Sequence, residues 1–291
     1  LSGNAIDLCP VGALTSKPFR FAARSWEMAR RFSVSPHDSL GSNLQVQVKH
    51  DKVVRVLPFE NEDVNECWLS DRDRFSYEGL SSPDRLTQPK IKHGGEWHTV
   101  DWETALDYVV RTLRDIKDTH GADQLAALVS PLCSLEEMYL TQKVMNGIGS
   151  DNVDSRLRHQ DFSLDGKRSG VPWLGMPVAA LSTLDSVLIV GSNLRKDHPL
   201  LAQRLRQAQR RGGRIARVNA MRDDWLIPIS AELISPPDSM VSSLASVVSS
   251  LCSKTGVAVA AHCSELIAGL DVAPAAHAVA DSLLRGEKRS V

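Results

Sequence analysis

The strongest constraint on the fold is a series of short apolar segments that alternate with amphipathic, helix-length ones from about residue 91 onward. Residues 125–129, 186–190 and 215–218 read as buried strands, and a further strand is expected near 257–261. Helical patterns lie between them. Asp101 can cap a helix that carries Trp102, Ala105, Leu106, Val109, Val110 and Leu113 on one face and ends near Gly121. Ser134-Leu135-Glu136-Glu137 has the form of a capping box and opens a helix running to about Gly147. Further helices are expected at 198–211, 240–252 and 275–284, and a new strand is starting at 286–291. Parallel strands require long crossovers, which these helices supply. The pattern therefore predicts an α/β fold built on a doubly wound parallel sheet.

The first ninety residues are different. Residues 1–30 are rich in proline, glycine and aromatics and show no long period, as the tail of a small domain would. From Ser33 to about Pro89, Leu44, Val46 and Val48 alternate with polar residues, His50-Asp51-Lys52 interrupts, and 53–57 resumes as strand. That is a β-hairpin, and the acidic stretch 60–74 after it is irregular. The expected division is 1–30, 31–90 and 91–291, with a small, mostly-β domain preceding the α/β body.

Bulk properties exclude several classes of function. A formal net charge of −1 and a pI near 6.8 leave no electrostatic footprint for nucleic acid. The densest basic run, Arg204, Arg206, Arg210, Arg211 and Arg214, reads as a solvated helix face. No apolar run approaches the ~18 residues of a membrane helix, so membrane association is expected only through partner proteins. Five scattered cysteines, with no CxxC pair, argue against a disulfide framework, and the chain cannot build a four-cysteine metal site alone. With no initiator methionine and no signal-peptide pattern, it reads as a fragment cut at both ends.

The segment with the most chemistry is Asp7-Leu8-Cys9-Pro10-Val11-Gly12-Ala13-Leu14. Ferredoxin-type motifs close on a Cys-Pro pair, because iron in these clusters is held by soft thiolate sulfur. Pro10 stiffens the turn, and Gly12 and Ala13 allow close backbone approach. On its own, a Cys-Pro pair also fits a buried free cysteine near a turn. The longer string, Ile6 through Phe19 followed by Ala23-Arg24 and Trp26-Glu27, closely resembles the large iron–sulfur subunit of the NADH-quinone oxidoreductase (respiratory complex I) family. The resemblance implies that Cys9 is the fourth ligand of a [4Fe-4S] cluster. The other three cysteines would come from an upstream CxxCxxC run that is missing here.

A second resemblance lies in what has been lost. Molybdenum and tungsten oxidoreductases carry a small 4Fe-4S domain with C-x2-C-x3-C-x27-C spacing. The same frame here reads Ser35, Asp38, Ser42 and Ser70, set among Arg55-Val56-Leu57-Pro58, Val64-Asn65-Glu66, Arg74-Phe75 and Tyr77-Glu78-Gly79-Leu80, which still resemble the family. Hard oxygen donors match Fe–S cores poorly, and neither Cys67 nor His37 restores a set, so no cluster is expected in this frame. Further on, Gly191-Ser192-Asn193, His198-Pro199 and Asn219 resemble the pterin-nucleotide cradle of molybdopterin oxidoreductases. They lack the dinucleotide G-x-G-x-x-G spacing. The loop where a metal ligand would be sought, 154–163, has no cysteine; Ser155, Asp161 and Ser163 remain possible oxygen ligands by residue type. No molybdopterin is expected in what reads as an inherited, empty cleft.

Other residues carry less. His262 and Cys263 fall on the expected strand and would face opposite ways. His159 near Asp161 has no nucleophile beside it, and Cys133, Cys252 and Cys263 are expected to be small buried hydrophobes. The resemblance implies a non-catalytic α/β body in an electron-transfer subunit that passes electrons from NADH and flavin along iron–sulfur clusters toward quinone. Its partners would be the flavin/NADH-binding and cluster-relay subunits of the complex I peripheral arm, at the cytoplasmic face of the bacterial inner membrane. Two alternatives stay open: a formate-dehydrogenase-like molybdopterin enzyme, and a non-catalytic scaffold.

Overall fold

The computed structural model describes residues 2–156, 166–167, 169–171 and 173–291. Contacts divide the chain into two compact units, Leu1–Tyr77 together with Trp173–Val291, and Glu78–Pro172.

The first unit begins with a short helix, α1 (Asn4–Leu8), and a three-stranded antiparallel sheet, β1 (Ala29–Val34), β2 (Asn43–Lys49) and β3 (Lys52–Pro58), in the order β1-β2-β3. The hairpin expected from the alternation of Leu44, Val46 and Val48 is β2–β3. His50 and Asp51 form its turn with positive φ, 48° and 61°. Strand β1 leaves no trace in the sequence pattern, because all six of its residues are exposed and nothing alternates. Leu44, Val56 and Leu69 make a small core backed by Val46, Val53 and Tyr77. A single-turn helix, α2 (Asp71–Phe75), closes this part, capped by the Ser70 side chain.

The second unit opens with a hairpin, β4 (Lys90–His93) and β5 (Glu96–Thr99), turned on Gly94-Gly95. A diglycine between two short β-prone runs is a hairpin signal, so this element adds to those expected. Helix α3 (Trp102–His120) follows, capped by Asp101 and ended at Gly121 as expected. Strand β6 shrinks to Ala127–Leu128. Helix α4 (Leu135–Ile148) starts on the Ser134 capping box, and β7 (Val153–Asp154) pairs parallel to β6.

The chain then builds the main sheet. Strand β8 (Ser186–Val190) leads through α5 (Leu194–Asp197) and α6 (Pro199–Arg210) to β9 (Arg214–Asn219) and β10 (Ala231–Ile234). Helices α7 (Met240–Thr255), α8 (Ser264–Ile267) and α9 (Pro274–Leu283) precede β11 (Arg289–Ser290). The sheet order is β10-β9-β8-β11 and every pairing is parallel. Period-two alternation sends Val187 and Ile215 to one face, where they pack with Leu205 of α6 and Trp225. Leu188, Ala216 and Val218 go to the other, against Val247 of α7 and Val279 of α9. Helices cover both faces, which is the doubly wound layering. Fully burying each of these aliphatic side chains contributes about 1.5–3 kcal/mol.

Three expectations fail. Residues 257–261 form no strand. Gly256 ends α7 in a left-handed conformation, Val257 is exposed, and these residues pair with no strand among the described residues. A strand exists only through its hydrogen-bonded neighbour. His262 and Cys263 accordingly lie on a 3-10 turn, Ala261–Cys263, and the strand argument for them lapses. Cys133, Cys252 and Cys263 are half-buried rather than buried.

The basic run is the third. Arg206, Arg210 and Arg211 are exposed, but Arg204 is 6% exposed. Its guanidinium pairs with Glu66 at 3.3 Å and donates to the carbonyls of Glu62 and Val64, while Gln207 donates to both Glu66 oxygens at 3.1 Å. Helix α6 thus clamps the acidic loop that looked irregular in sequence.

Candidate functional site

Cys9 stands at the C-terminal end of α1, where the backbone leaves the helix for an extended conformation. The chain then folds back on itself: Gly12 takes φ +66°, and its N–H reaches the Cys9 carbonyl at 3.5 Å. The backbone of this turn favours the thiolate. The N–H of Leu14 contributes most, with those of Val11, Ala13 and Gly12 beside it, and together they hold the Cys9 thiol below its ordinary value against the opposing effect of burial. Pro10, which has no N–H, takes no part. Lowering the thiol favours the thiolate, and thiolate is the form that binds iron. The residues present fit one ligand of an iron–sulfur cluster. Among the described residues no group of three histidine, cysteine or acidic side chains could hold a metal by itself.

The position of this turn is set by the β domain. Asn4, 3% exposed, exchanges two hydrogen bonds with the Leu69 backbone, donating to its carbonyl at 2.8 Å and accepting from its N–H at 2.9 Å. The buried Arg74 guanidinium reaches Asp7 at 2.6 Å and Asn4 at 3.1 Å. Asp71 accepts from the Ser2 and Gly3 amides. A Cβ on Gly3 would lie 2.6 Å from Asp71 Oδ1 and 2.8 Å from Arg74 Cδ, so only glycine allows this approach. Farther along, the Arg55 guanidinium lies 4.1 Å from the centre of the Phe19 ring. The Cys9 segment is held on both sides of the cysteine.

The fold brings the oxygen-bearing frame together. Ser35, Ser42 and Ser70 are buried, and so is Asp73, which lies outside the cysteine spacing and is not marked by it. Ser35 Oγ donates to Asp73 Oδ1 at 2.6 Å and Ser70 Oγ donates to Asp73 Oδ2 at 2.7 Å. Asp38 accepts from the amides of Leu40, Gly41 and Ser42 and from the Ser42 hydroxyl. The Ser35 N–H donates to the Ser42 carbonyl at 2.8 Å, which joins the two halves. These oxygens satisfy one another. A metal entering here would have to displace a closed hydrogen-bond set and would meet no thiolate, so the residues do not fit a cluster.

At the carboxyl ends of β8 and β9 some polar groups bind each other, while the buried Ser192 Oγ has no hydrogen-bond partner among the described residues. Asn219 Nδ2 donates to the Ser192 carbonyl at 3.1 Å, the Asn193 N–H donates to Asp197, and His198 Nδ1 is 3.0 Å from Ser39 Oγ. Ser155 is exposed, and its N–H donates to Asp154 at 2.7 Å. His159, Asp161 and Ser163 lie outside the described residues.

Comparisons with known proteins show the family to which these segments belong. The family described as molybdopterin oxidoreductase matches residues 85–246, and the NADH-ubiquinone oxidoreductase NDSU1/NuoG-like 4Fe-4S domain matches residues 29–78, the part that holds the oxygen frame. The chain is 36% identical to the NADH-ubiquinone oxidoreductase 75 kDa subunit of Reclinomonas americana, over 73% of this chain and 32% of that one. It is 36% identical to the mitochondrial NADH-ubiquinone oxidoreductase 78 kDa subunit of Candida albicans, over 71% and 28%, and 37% identical to an NADH-quinone oxidoreductase subunit of Rickettsia bellii, over 75% and 31%. The chain therefore spans about a third of the length of the curated relatives it matches. Among solved structures, acetylene hydratase from Pelobacter acetylenicus superposes with a TM-score of 0.60 at 16% identity, covering 77% of this chain and 32% of that one. That likeness establishes the fold.

Proposed function

Because this chain belongs to the molybdopterin oxidoreductase family, in the branch formed by the large iron–sulfur subunit of NADH-quinone oxidoreductase, we propose that it is part of an electron-transfer subunit in which Cys9 supplies one ligand to a [4Fe-4S] cluster. The Cys9-Pro10 turn, anchored by Asn4 and Arg74 and with its thiol lowered, carries this reading. A bound cluster would supply one-electron transfer. What this chain contributes is a sulfur held as thiolate, amide donors that favour added negative charge on it, and a turn fixed by Asn4 and Arg74. The three remaining cysteines would come from polypeptide outside the chain.

On this reading the α/β body makes and breaks no bonds. It packs around the clusters, excludes water and docks neighbouring subunits, with electrons passing from NADH and flavin toward quinone. Its partners are the flavin/NADH-binding and cluster-relay subunits of the complex I peripheral arm, and no molybdopterin is bound. Among the described residues no helix is long and apolar enough to cross a membrane. Attachment at the cytoplasmic face of the bacterial inner membrane would run through those partners. In the intact subunit residues 1–30 end the cluster-bearing domain, 31–90 form the metal-free β domain and 91–291 belong to the α/β body.

The test is Cys9→Ala in the intact subunit, read by low-temperature EPR and by NADH–quinone electron flow. One [4Fe-4S] signal and most of the flow should be lost. An unchanged spectrum with unchanged turnover refutes the assignment. Stoichiometric molybdenum or tungsten in the intact protein would favour a pterin enzyme instead.

A further inference from the structure

Arg55 is a half-buried cation whose direct partners are neutral. It stands on β3 opposite Gln47 of β2, and its Nε donates to Gln47 Oε1 at 2.8 Å. Gln47 is 3% exposed, so the group that holds this donor is itself fixed in the fold. The Phe19 ring, 4.1 Å from the guanidinium carbon, is the second neutral partner. Among the described residues Arg55 forms no ion pair. Burial pushes Arg55 below its ordinary value, and the charge of Asp7 opposes that effect. Arginine keeps its proton in such settings, so a full positive charge is maintained where it is costly.

That charge lies beside the Cys9 turn. A cavity of about 350 Å³ is lined by Arg55, Arg74 and Arg20 together with residues from both sides of the cysteine, Asp7 before it and Leu14 after it. Leu14 supplies the amide that does most to lower the Cys9 thiol. The other charges at this cavity are spent or screened. Arg74 pairs with Asp7 at 2.6 Å, and Arg20 is exposed to solvent. Packing does not require the cation that remains. A neutral side chain at position 55 would still cover Phe19, without the cost of a desolvated charge. A fixed cation next to a cysteine turn suits a place where negative charge arrives.

We propose that Arg55, held by Gln47 and Phe19 beside the Cys9 turn, raises the reduction potential of the cluster that Cys9 helps to bind. The proposal rests on the reading of Cys9 as a cluster ligand. Reduction adds one negative charge, and a fixed cation nearby favours the form that carries it. Arg55 acts through space and supplies no ligand. Through an effective dielectric of about 20, a unit charge at roughly 10 Å alters a one-electron equilibrium about tenfold, which is ~59 mV. Gln47 is the positioning residue: its buried amide oxygen keeps the guanidinium at the cavity without neutralising it.

The experiment is a potentiometric EPR titration of the Cys9-dependent [4Fe-4S] signal in the intact subunit, with iron measured on each variant. Arg55→Gln should make the midpoint more negative, by about a tenfold change in the reduction equilibrium, at unchanged iron content. Arg55→Lys keeps the charge and should stay near the parent value. Gln47→Glu leaves Arg55 in place, sets a carboxylate against its Nε, and should lower the midpoint as Arg55→Gln does. Lys52→Gln removes an equal charge from the exposed start of β3 and should leave the midpoint alone. An unchanged midpoint in either neutralised variant that retains its iron overturns the proposal. So does an equal shift in Arg55→Lys or Lys52→Gln. Loss of iron in both neutralised variants overturns it as well, because Arg55 then holds the fold and not the potential. Cys9→Ala separates the two readings. A signal that survives it sinks the cluster assignment, whereas a signal it abolishes, with a midpoint indifferent to Arg55, sinks this proposal alone.

Discussion

Replacing Arg204 with methionine tests whether α6 holds the cluster-type domain in place. Methionine keeps most of the stem and removes the charge. The Arg204 and Glu66 side chains are 7% and 17% exposed and 3.3 Å apart, so the pair is shielded from solvent, and the same guanidinium satisfies the carbonyls of Glu62 and Val64. Removing one member of such a pair leaves a buried charge uncompensated, at a cost of ~3–5 kcal/mol. Gln207 still donates to both Glu66 oxygens, which places the expected loss near the lower end, ~3 kcal/mol. Glu66 also sits at φ +52°, a left-handed conformation that the clamp holds, so its loop should relax when the clamp is gone. Urea unfolding followed by tryptophan fluorescence gives the number. Arg206→Met and Arg210→Met, on the exposed side of the helix, should each change stability by less than ~0.5 kcal/mol. Adding Glu66→Gln to Arg204→Met should recover part of the loss, because the stranded charge is then gone. A cost below ~1 kcal/mol for Arg204→Met, the range of an exposed pair, or a double variant no more stable than the single one, refutes the clamp.

Three further outcomes are expected. Alkylation of Cys9 in the isolated chain should reach half-maximal rate at lower pH than an ordinary thiol, because the Leu14 amide and its neighbours favour the thiolate. Cys67, whose thiol burial pushes up, should require higher pH, and coincident profiles would dismiss the backbone's effect on Cys9. Ser70→Ala should leave iron content unchanged while costing ~1–2 kcal/mol for the lost helix cap; loss of about four irons would show that the oxygen frame does bind a cluster. Hydrogen bonding from Arg217 holds Glu232 below the usual carboxylate range. The stability this pair adds is therefore present above pH ~4.3 and is lost as pH falls through the lower folded value. Arg217→Met should flatten that acid limb of the stability–pH curve, and an unaltered limb counts against the pairing.

What can be read from the sequence is set by how local its physical cause is. The caps at Asp101 and Ser134 and the glycine stop at 121 depend on neighbours within a few residues, and they stand in the structure as expected. Strand β1 and residues 257–261 defeat the pattern in opposite directions for one reason: whether a stretch becomes a strand depends on a partner elsewhere in the chain. Arg204 looks like one cation among five because sequence spacing cannot show that a loop 140 residues upstream will close over it. Cys9 is legible through the string around it. Its turn is only partly so, since Gly12 hints at it while the docking of Asn4 on Leu69 leaves no mark in either segment.

Asp73, which the spacing does not mark, explains how this frame closes without a metal. Four thiolates need a cationic core between them, since close negative sulfurs repel and have no protons to share. Four oxygens do not need one if some carry protons: serine donates and carboxylate accepts, so the ring can close on itself. Ser35, Asp38, Ser42 and Ser70 alone would close badly, because Asp38 is turned to the amides of residues 40–42 and leaves two buried hydroxyls without an acceptor. Asp73, one turn into α2, takes both, and each carboxylate oxygen receives one serine. The exchange of sulfur for oxygen thus requires a fifth residue outside the cysteine spacing, and comparing four positions with four cysteines could not reveal it. It also makes the exchange hard to reverse. Thiols restored at the four positions would still face a buried carboxylate at Asp73, whose charge opposes the anionic cluster they would need to hold.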